Sequence, residues 1–522
     1  MKKAFSVYNG LLFLFIVFIA VPVLYTFFSA VFVNDDFATD VSLLSSDSFL
    51  LLAKSVLIAG IIALFSGIIG TSLAFILYKT HLRYRNIFKI ILLTPLFISP
   101  YILAVAWKDF FFSAFGNVQM ISSYFGVILV LTTVYTPLSM LIAGSALVNI
   151  GSHLEESALM FTDRKHMMTK IILPLIKPAL LSSFVLIFIF SISNFAVPAF
   201  FGVKVFTTEI FTQFSAFYKH SFAIIQSVFL VVICVLLLIS ERRYIADAPF
   251  FSMGSRGTSI RLYGDKKQNI QRYSILIFWM VFSIVIPLIA LFLQSFASGT
   301  KYFAKAWDLL LPTFAGSFLL AFIASVIVVV IGFVIACRGA WLNKKTNIFS
   351  WILLIIFTIP STVFGISLIK FYNQPILNFI YSGYTILIIA YVGKFSFISA
   401  KILSNAIQQL PKSLHEATEI QGVNQIQGIF KILIPLIFPA LFVSFIISFI
   451  FTLGELGTTI MVYPPGTEIM PVKVFTIMAN APRALTSSMN LIVFSLILML
   501  ITAFSFLANL FYNKSYYVDN RT

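Results

Sequence analysis

Apolar residues fall along this chain in long uninterrupted runs, separated by short polar segments. Runs of roughly 20 residues or more are the length a helix needs to cross ~30 Å of hydrocarbon. They lie near 11–33, 49–78, 87–107, 123–148, 178–202 and 221–240. A second set lies near 273–296, 313–337, 347–369, 383–402, 435–462 and 488–511. The pattern predicts an all-α polytopic membrane protein of about twelve transmembrane helices, six in each half. Several runs exceed one bilayer thickness, which calls for tilt or an interfacial turn.

Two polar segments break the pattern in the same way. "SHLEESALMFTDRKHMMTKIILPLIKPAL" begins at Ser152 and "SLHEATEIQGVNQIQGIFKILIPLIFPAL" at Ser413, 261 residues later in a chain of 522. Residues 152–184 and 413–445 agree without gaps at 12 of 33 positions, among them Ser152/Ser413, Glu155/Glu416, Lys170/Lys431, Pro174/Pro435 and Pro178/Pro439. Upstream, Ser55/Ser317, Ala59/Ala321, Gly70/Gly332 and Ala74/Ala336 align at an offset of 262. Duplication and fusion explain both. Each half crosses the membrane an even number of times, so the copies form a parallel repeat about an axis along the membrane normal. The chain divides into a first half (1–240), a Gly-, Ser- and Arg/Lys-rich cytoplasmic linker (241–272) and a second half (273–522).

Composition narrows the class. Apolar residues make up 60%, mean hydropathy is +1.02 and only 10% of residues are charged, too few to cover a soluble protein of this length. A net charge of +17 raises nucleic acid as a partner, and the distribution argues against it. With the N-terminus inside, 25 of the 35 basic residues fall in inside segments and 8 in outside loops, Lys54 and Lys394 lying within spans. This positive-inside bias places both termini in the cytoplasm. The start, Lys2-Lys3 and an apolar run leading into "VNDDFATD", lacks a small-x-small cleavage site and reads as a retained span. Cys234 and Cys337 fall within or at the end of spans, where packing is their expected role.

The repeated segments have legible local chemistry. Ser152-x-x-Glu155 and Ser413-x-x-Glu416 read as capping boxes opening a short helix. The second copy stops at Gly422, suited to the left-handed conformation that ends a helix. Asn424 and Asp163 stand where a second N-cap belongs, and a second short helix runs to Pro435 or Pro174, where a span begins. The expected product is a helix–turn–helix on the cytoplasmic face. One copy alone reads as readily as a surface elbow capped for stability. Two copies on one side suit a two-fold symmetric partner.

The pattern Glu416-Ala417, Gly422, Ile432, Ile434 and Pro435 resembles the "EAA" loop of ABC importer permeases; the first copy keeps Glu155, Ile171, Leu173 and Pro174. Two such loops in one chain resemble the fused permeases of ferric-iron and thiamine importers, whose relatives move aminoethylphosphonate or sugar phosphates. "GELGTTIMVYPPGTEIMP" (454–471), "VYTPLSML" (134–141) and "VFTTEIF" (205–211) are similar to patterns of that group. The resemblance implies two coupling helices, 152–178 and 413–439, seated in two copies of a cytoplasmic ATPase through Glu155, Glu156, Leu173, Pro174, Glu416, Ala417, Gly422, Ile434 and Pro435. The coupling glutamate would pair with a basic residue of the ATPase. It also implies an extracytoplasmic solute-binding protein and a bacterial inner-membrane location. ATP and Mg would be bound by the partner, since this chain has no GxxxxGK[ST] loop. The first copy departs from the pattern with Phe161 where the second has Gly422. A left-handed Phe is strained, so the first loop is expected to turn differently, near Thr162, and to couple less tightly.

Three polar residues inside spans are candidates for the translocation pathway: Glu455, its repeat partner Asn194, and Lys394. A charge at mid-depth costs ~2.5–3.5 kcal/mol and usually faces a pathway. Snorkelling, a structural hydrogen bond, or a Glu455–Lys394 pair are the alternatives. No His or Cys cluster has metal-ligand spacing; His153, His166 and His415 fall in cytoplasmic loops. The reading is therefore a non-enzymatic permease subunit that binds no cofactor itself and takes its selectivity from a binding protein. Ferric iron is its leading cargo, and thiamine, a phosphonate or a sugar phosphate the alternatives. An ion-coupled secondary transporter would need more buried charge and would leave the paired loops unexplained; a membrane enzyme lacks a catalytic cluster.

Overall fold

A computed structural model describes residues 2–32, 46–163, 166–240, 266–341, 348–411 and 425–519. Among them the chain is all helix. In the first half these are α1 (Tyr8–Ser29), α2 (Ser46–Lys79), α3 (Arg85–Phe97), α4 (Pro100–Phe115), α5 (Tyr124–Val148), α6 (Ser152–Phe161), α7 (Met167–Ile192), α8 (Ala196–Phe201), α9 (Phe206–Ser215) and α10 (His220–Ile239). The second half has α11 (Ile270–Phe296), α12 (Lys301–Gly339), α13 (Ile348–Thr358), α14 (Ser361–Tyr372), α15 (Thr385–Gln408), α16 (Ile429–Gly454), α17 (Thr459–Val462), α18 (Met470–Met478) and α19 (Arg483–Phe504). Ten of these helices are long and apolar enough to span a bilayer, or twelve spans if each of two bent pairs counts as one.

Those pairs correct the expectation of straight spans at 87–107 and 347–369. α3 and α4 meet at 97°, α13 and α14 at 105°. Proline is the cause at both. Its ring disfavours helical geometry in the preceding residue, and Ser99 before Pro100 is indeed extended at ψ 132°. At the second site Pro360 itself is extended at ψ 143°.

Proline does something else near other helix starts. Pro22, Pro174, Pro287 and Pro435 each lie two residues after a wider π turn, at Ile16–Ala20, Met167–Ile172, Val281–Val285 and Ile429–Leu433. A helical proline offers no N–H and crowds the carbonyl four residues back. Widening the preceding turn relieves both problems and lets the helix continue. Hence the expected short helix ending at Pro174 is instead one continuous helix with the span, and α16 likewise runs through Pro435.

Each half is built on the same three helices. In the first, α2 crosses α5 and α7; in the second, α12 crosses α15 and α16. The crossings use small residues, as helices in lipid must to approach closely. A Cβ on Gly70 would lie 2.6 Å from the Ser139 Cβ and 2.7 Å from the Thr136 carbonyl oxygen; one on Gly332 would lie 2.8 Å from the Ala400 nitrogen. Ser183 donates to Ser139 at 3.2 Å, and its repeat equivalent Ser444 to Ser399 at 2.8 Å. At the other end of the long helices, Ser55 accepts the Phe206 N–H and Ser317 the Met470 N–H, both at 2.9 Å. These contacts match at aligned positions of the two segments.

The first helix of each half packs on the other half. α1 lies on α14: the Tyr372 hydroxyl donates to the Phe18 carbonyl at 2.8 Å, and Tyr25 meets Phe371 edge-on at 5.5 Å. α11 lies on α4, with Trp107 and Phe282 rings 4.9 Å apart. The two sequence halves are thus interlocked. Cys234 and Cys337 are buried and unbridged.

Candidate functional site

Four helices are interrupted within or at the ends of apolar segments, two from each half, and the interruptions meet. The bend at Ser99, the break after α7 at Ser193–Phe195, the bend next to Ser361 and the break after α16 at Glu455–Gly457 all line one cavity of about 220 Å³. Aromatic rings, Phe97, Phe190, Phe357 and Phe451 among them, make up much of the rest of its wall. Irregular backbone is tolerated at this depth only where it is buried or lines a cavity, and discontinuous helices typically build the sites of transporters.

The candidate pathway residues sit at these interruptions. Glu455 lies just past the end of α16 rather than inside a span. Its carboxylate accepts the Thr458 N–H on Oε1 at 2.8 Å and the Thr459 N–H on Oε2 at 3.0 Å, with the Thr459 hydroxyl at 2.7 Å. It therefore caps α17, satisfying donors at the positive end of the helix dipole. Asn194 does the same for α8: Oδ1 accepts the Val197 N–H at 3.1 Å. Lys394, 8% exposed, donates to the Ile359 carbonyl, at the C-terminal end of α13 where a cation is favoured. Glu455 and Lys394 do not form an ion pair. Each serves a helix end while facing the cavity. Sequence reading missed Ser99, Ser361 and Lys401, which also line it. The signal was available in "ISPY" and "TIPS", prolines in the middle of apolar runs.

The cytoplasmic candidates separate more sharply. Gly151, not Ser152, is the N-cap of α6, and no side chain caps it. The Glu155 side chain has turned inward. It is 1% exposed and forms an ion pair with Lys79, the last residue of α2, also fully buried. Glu156 and Pro174 are exposed, as is Leu173. In the second half Pro435 is exposed and Ile434 half-buried. Glu416, Ala417, Gly422 and the Ser413 capping box lie outside the described residues. α6 ends with Thr162 extended at φ −150°, so Phe161 takes no left-handed turn. Asp163 then accepts the His166 N–H at 3.2 Å as the expected second cap, and the His166 ring holds its carboxyl below the ordinary range.

Two pseudo-symmetric helical halves around a cavity made of broken helices define a membrane permease. Residues 328–515 match the family described as binding-protein-dependent transport system inner membrane component. A ferric transport system permease protein of Actinobacillus pleuropneumoniae is 25% identical over 472 residues, which cover 82% of this chain and 66% of that protein. A putative ferric transport system permease protein of Haemophilus influenzae is also 25% identical, over 467 residues covering 82% and 72%. A putative 2-aminoethylphosphonate transport system permease protein of Salmonella typhi is 23% identical over 201 residues, 37% of this chain and 72% of that protein. Residues 328–515 thus match the translocation subunit of binding-protein-dependent transporters, and the chain as a whole is similar to multi-pass permeases of that class.

Proposed function

We propose that this chain is the whole transmembrane part of an ABC importer for ferric iron, one chain supplying both permease halves. The observation that carries the importer reading is the convergence of four helix breaks, two from each half, on one cavity between them. The cargo rests on the two ferric permeases similar over 82% of the chain. Two ATPase copies would sit beneath the segments 152–178 and 413–439, bind ATP and Mg, and move the halves against each other. A solute-binding protein would deliver the cargo outside, and selectivity would be set there. A 2-aminoethylphosphonate cargo is the second reading, favoured by a relative that matches over a shorter stretch.

Purification of the tagged chain from its native membrane should bring down an ATPase at two copies per chain. Deleting the chain should abolish uptake of radioactive iron supplied as ferric citrate. Loss of 2-aminoethylphosphonate uptake with iron uptake intact would select the second cargo, and absence of an ATPase would sink the importer reading. The split of basic residues, 25 inside against 8 outside, sets the proposed orientation with both termini in the cytoplasm. Reporter fusions at 34–48, 203–220 and 463–487 should read outside, and those at 79–86, 241–272 and 401–431 inside. An outside signal from 241–272 contradicts the parallel repeat.

A further inference from the structure

The residue expected to meet the ATPase is shut away from it, and another pair is presented instead. Glu155 is buried and ion-paired with Lys79, so its charge is spent inside the chain. At the far end of the same ten-residue helix, Met160 is 82% exposed and Phe161 91%. Two large apolar side chains standing side by side in water are what a partner's pocket would remove from it. The second copy has Gln421 and Gly422 at the corresponding positions of the repeat.

We propose that α6 docks through the Met160–Phe161 tip, and that Glu155 is a positioning residue which ties the docked helix to α2. The inference rests on the importer reading, and the occupant it commits to is one ATPase subunit, offering an apolar pocket. The exposed carboxylates of Glu156 and Asp163 flank the tip, so the pocket's rim is basic. They also count against a bilayer surface, whose cytoplasmic leaflet is anionic. Arg164 and Lys165, next in sequence, lie outside the described residues, so lipid stays among the outcomes of the test.

The tie has a mechanical reach. Lys79 ends α2, and Ser55 near the other end of that helix holds the first N–H of α9. The helix between them rises ~1.5 Å per residue, enough to cross the hydrocarbon. A pull on α6 therefore reaches the outer loop through one rigid element. The second half would receive its partner through a different contact, because Trp341 stands where the first half has Lys79 at the 262-residue offset.

The test uses the full complex in lipid nanodiscs, titrating ATPase against permease and reading apparent Kd, ATP hydrolysis at saturation, and cargo moved per ATP in vesicles. Met160→Ser with Phe161→Ser should raise Kd by about tenfold or more, with hydrolysis recovering at high ATPase. Lys79→Met with Glu155→Met removes both charges together, which a buried site tolerates better than losing one. That variant should leave Kd within about twofold of wild type and lower the cargo moved per ATP. Wild-type binding itself tests the importer reading. Equal Kd for the tip variant and wild type overturns the docking tip alone. So does a blue-shifted Phe161→Trp emission in vesicles that ATPase leaves unchanged, the signature of a lipid-seated tip. A Kd raised as much by the double methionine variant as by the tip variant returns the dock to Glu155.

Discussion

Gly70→Val and Gly332→Val should each leave little folded protein in the membrane, whereas Gly60→Val should be tolerated. All three glycines lie on long spanning helices. The difference is what a side chain would meet. At Gly70 the obstacles are the Thr136 carbonyl oxygen at 2.7 Å and the Met140 nitrogen at 2.8 Å; at Gly332 the nearest backbone is that of Ser399 and Ala400 at 2.8 Å. Backbone cannot rotate aside as a side chain tip can, so the helices must separate. Separation also breaks the serine pairs Ser139–Ser183 and Ser399–Ser444. Overpacking in a close-packed interior costs about 1–3 kcal/mol, occasionally more, and these crossings belong at or above the top of that range. Gly60 has nothing within 4 Å. The measurement is the monodisperse fraction after detergent extraction, with the thermal unfolding midpoint of whatever remains. Wild-type yield of a Gly70→Val chain would refute the close crossing.

Glu455→Ala should abolish uptake while Glu455→Gln retains part of it, both at near-normal expression. The carboxylate of Glu455 holds two backbone N–H groups and one hydroxyl at the start of α17. Hydrogen bonds to a charged group contribute about 1.5–3 kcal/mol each. Alanine forfeits all of them and frees the break that lines the cavity. Glutamine keeps one acceptor oxygen, but its amide group cannot accept from the other N–H. The order wild type, Gln, Ala should therefore appear in uptake at equal protein in the membrane. Asn194→Ala, on the matching cap of α8, should give a smaller loss, because that cap is neutral and accepts a single described N–H. Equal uptake by all the variants would show that the caps do not shape the pathway.

The long apolar runs made the helical class legible in advance, and the 261-residue repeat pointed to two halves and to the polar segments. Span length follows from bilayer thickness, and repetition needs no coordinates to be seen. The bends were not read, although their cause was in view. A proline in an apolar run either breaks a helix, as at Pro100 and Pro360, or is absorbed by a wider turn, as at Pro174 and Pro435. What packs around it decides, and that is tertiary information. Glu155 shows the same limit from the other side. Serine followed three residues later by glutamate is a sound local signal for a cap, yet it says nothing of the buried lysine 76 residues upstream with which the Glu155 carboxylate pairs. In the sequence Lys79 is only one of the 25 basic residues of the inside segments. Glu455 and Lys394, singled out in the sequence as charges in apolar runs, both line the cavity, and both side chains also stitch broken helices, which composition alone could not reveal.

The interlocking of the two halves has a bearing on how the chain is made. α1 is made long before the surfaces that bury it: Ser367 and Tyr372 of α14 come 341 and 354 residues after their partners Thr26 and Phe18. It must stand in lipid through the manufacture of most of the protein. α11, by contrast, emerges to find α4 already in place. Contacts so distant in sequence form late, after the loop-closure cost of everything between them. α1 is therefore seated late relative to its own synthesis, once α14 has been made to receive it.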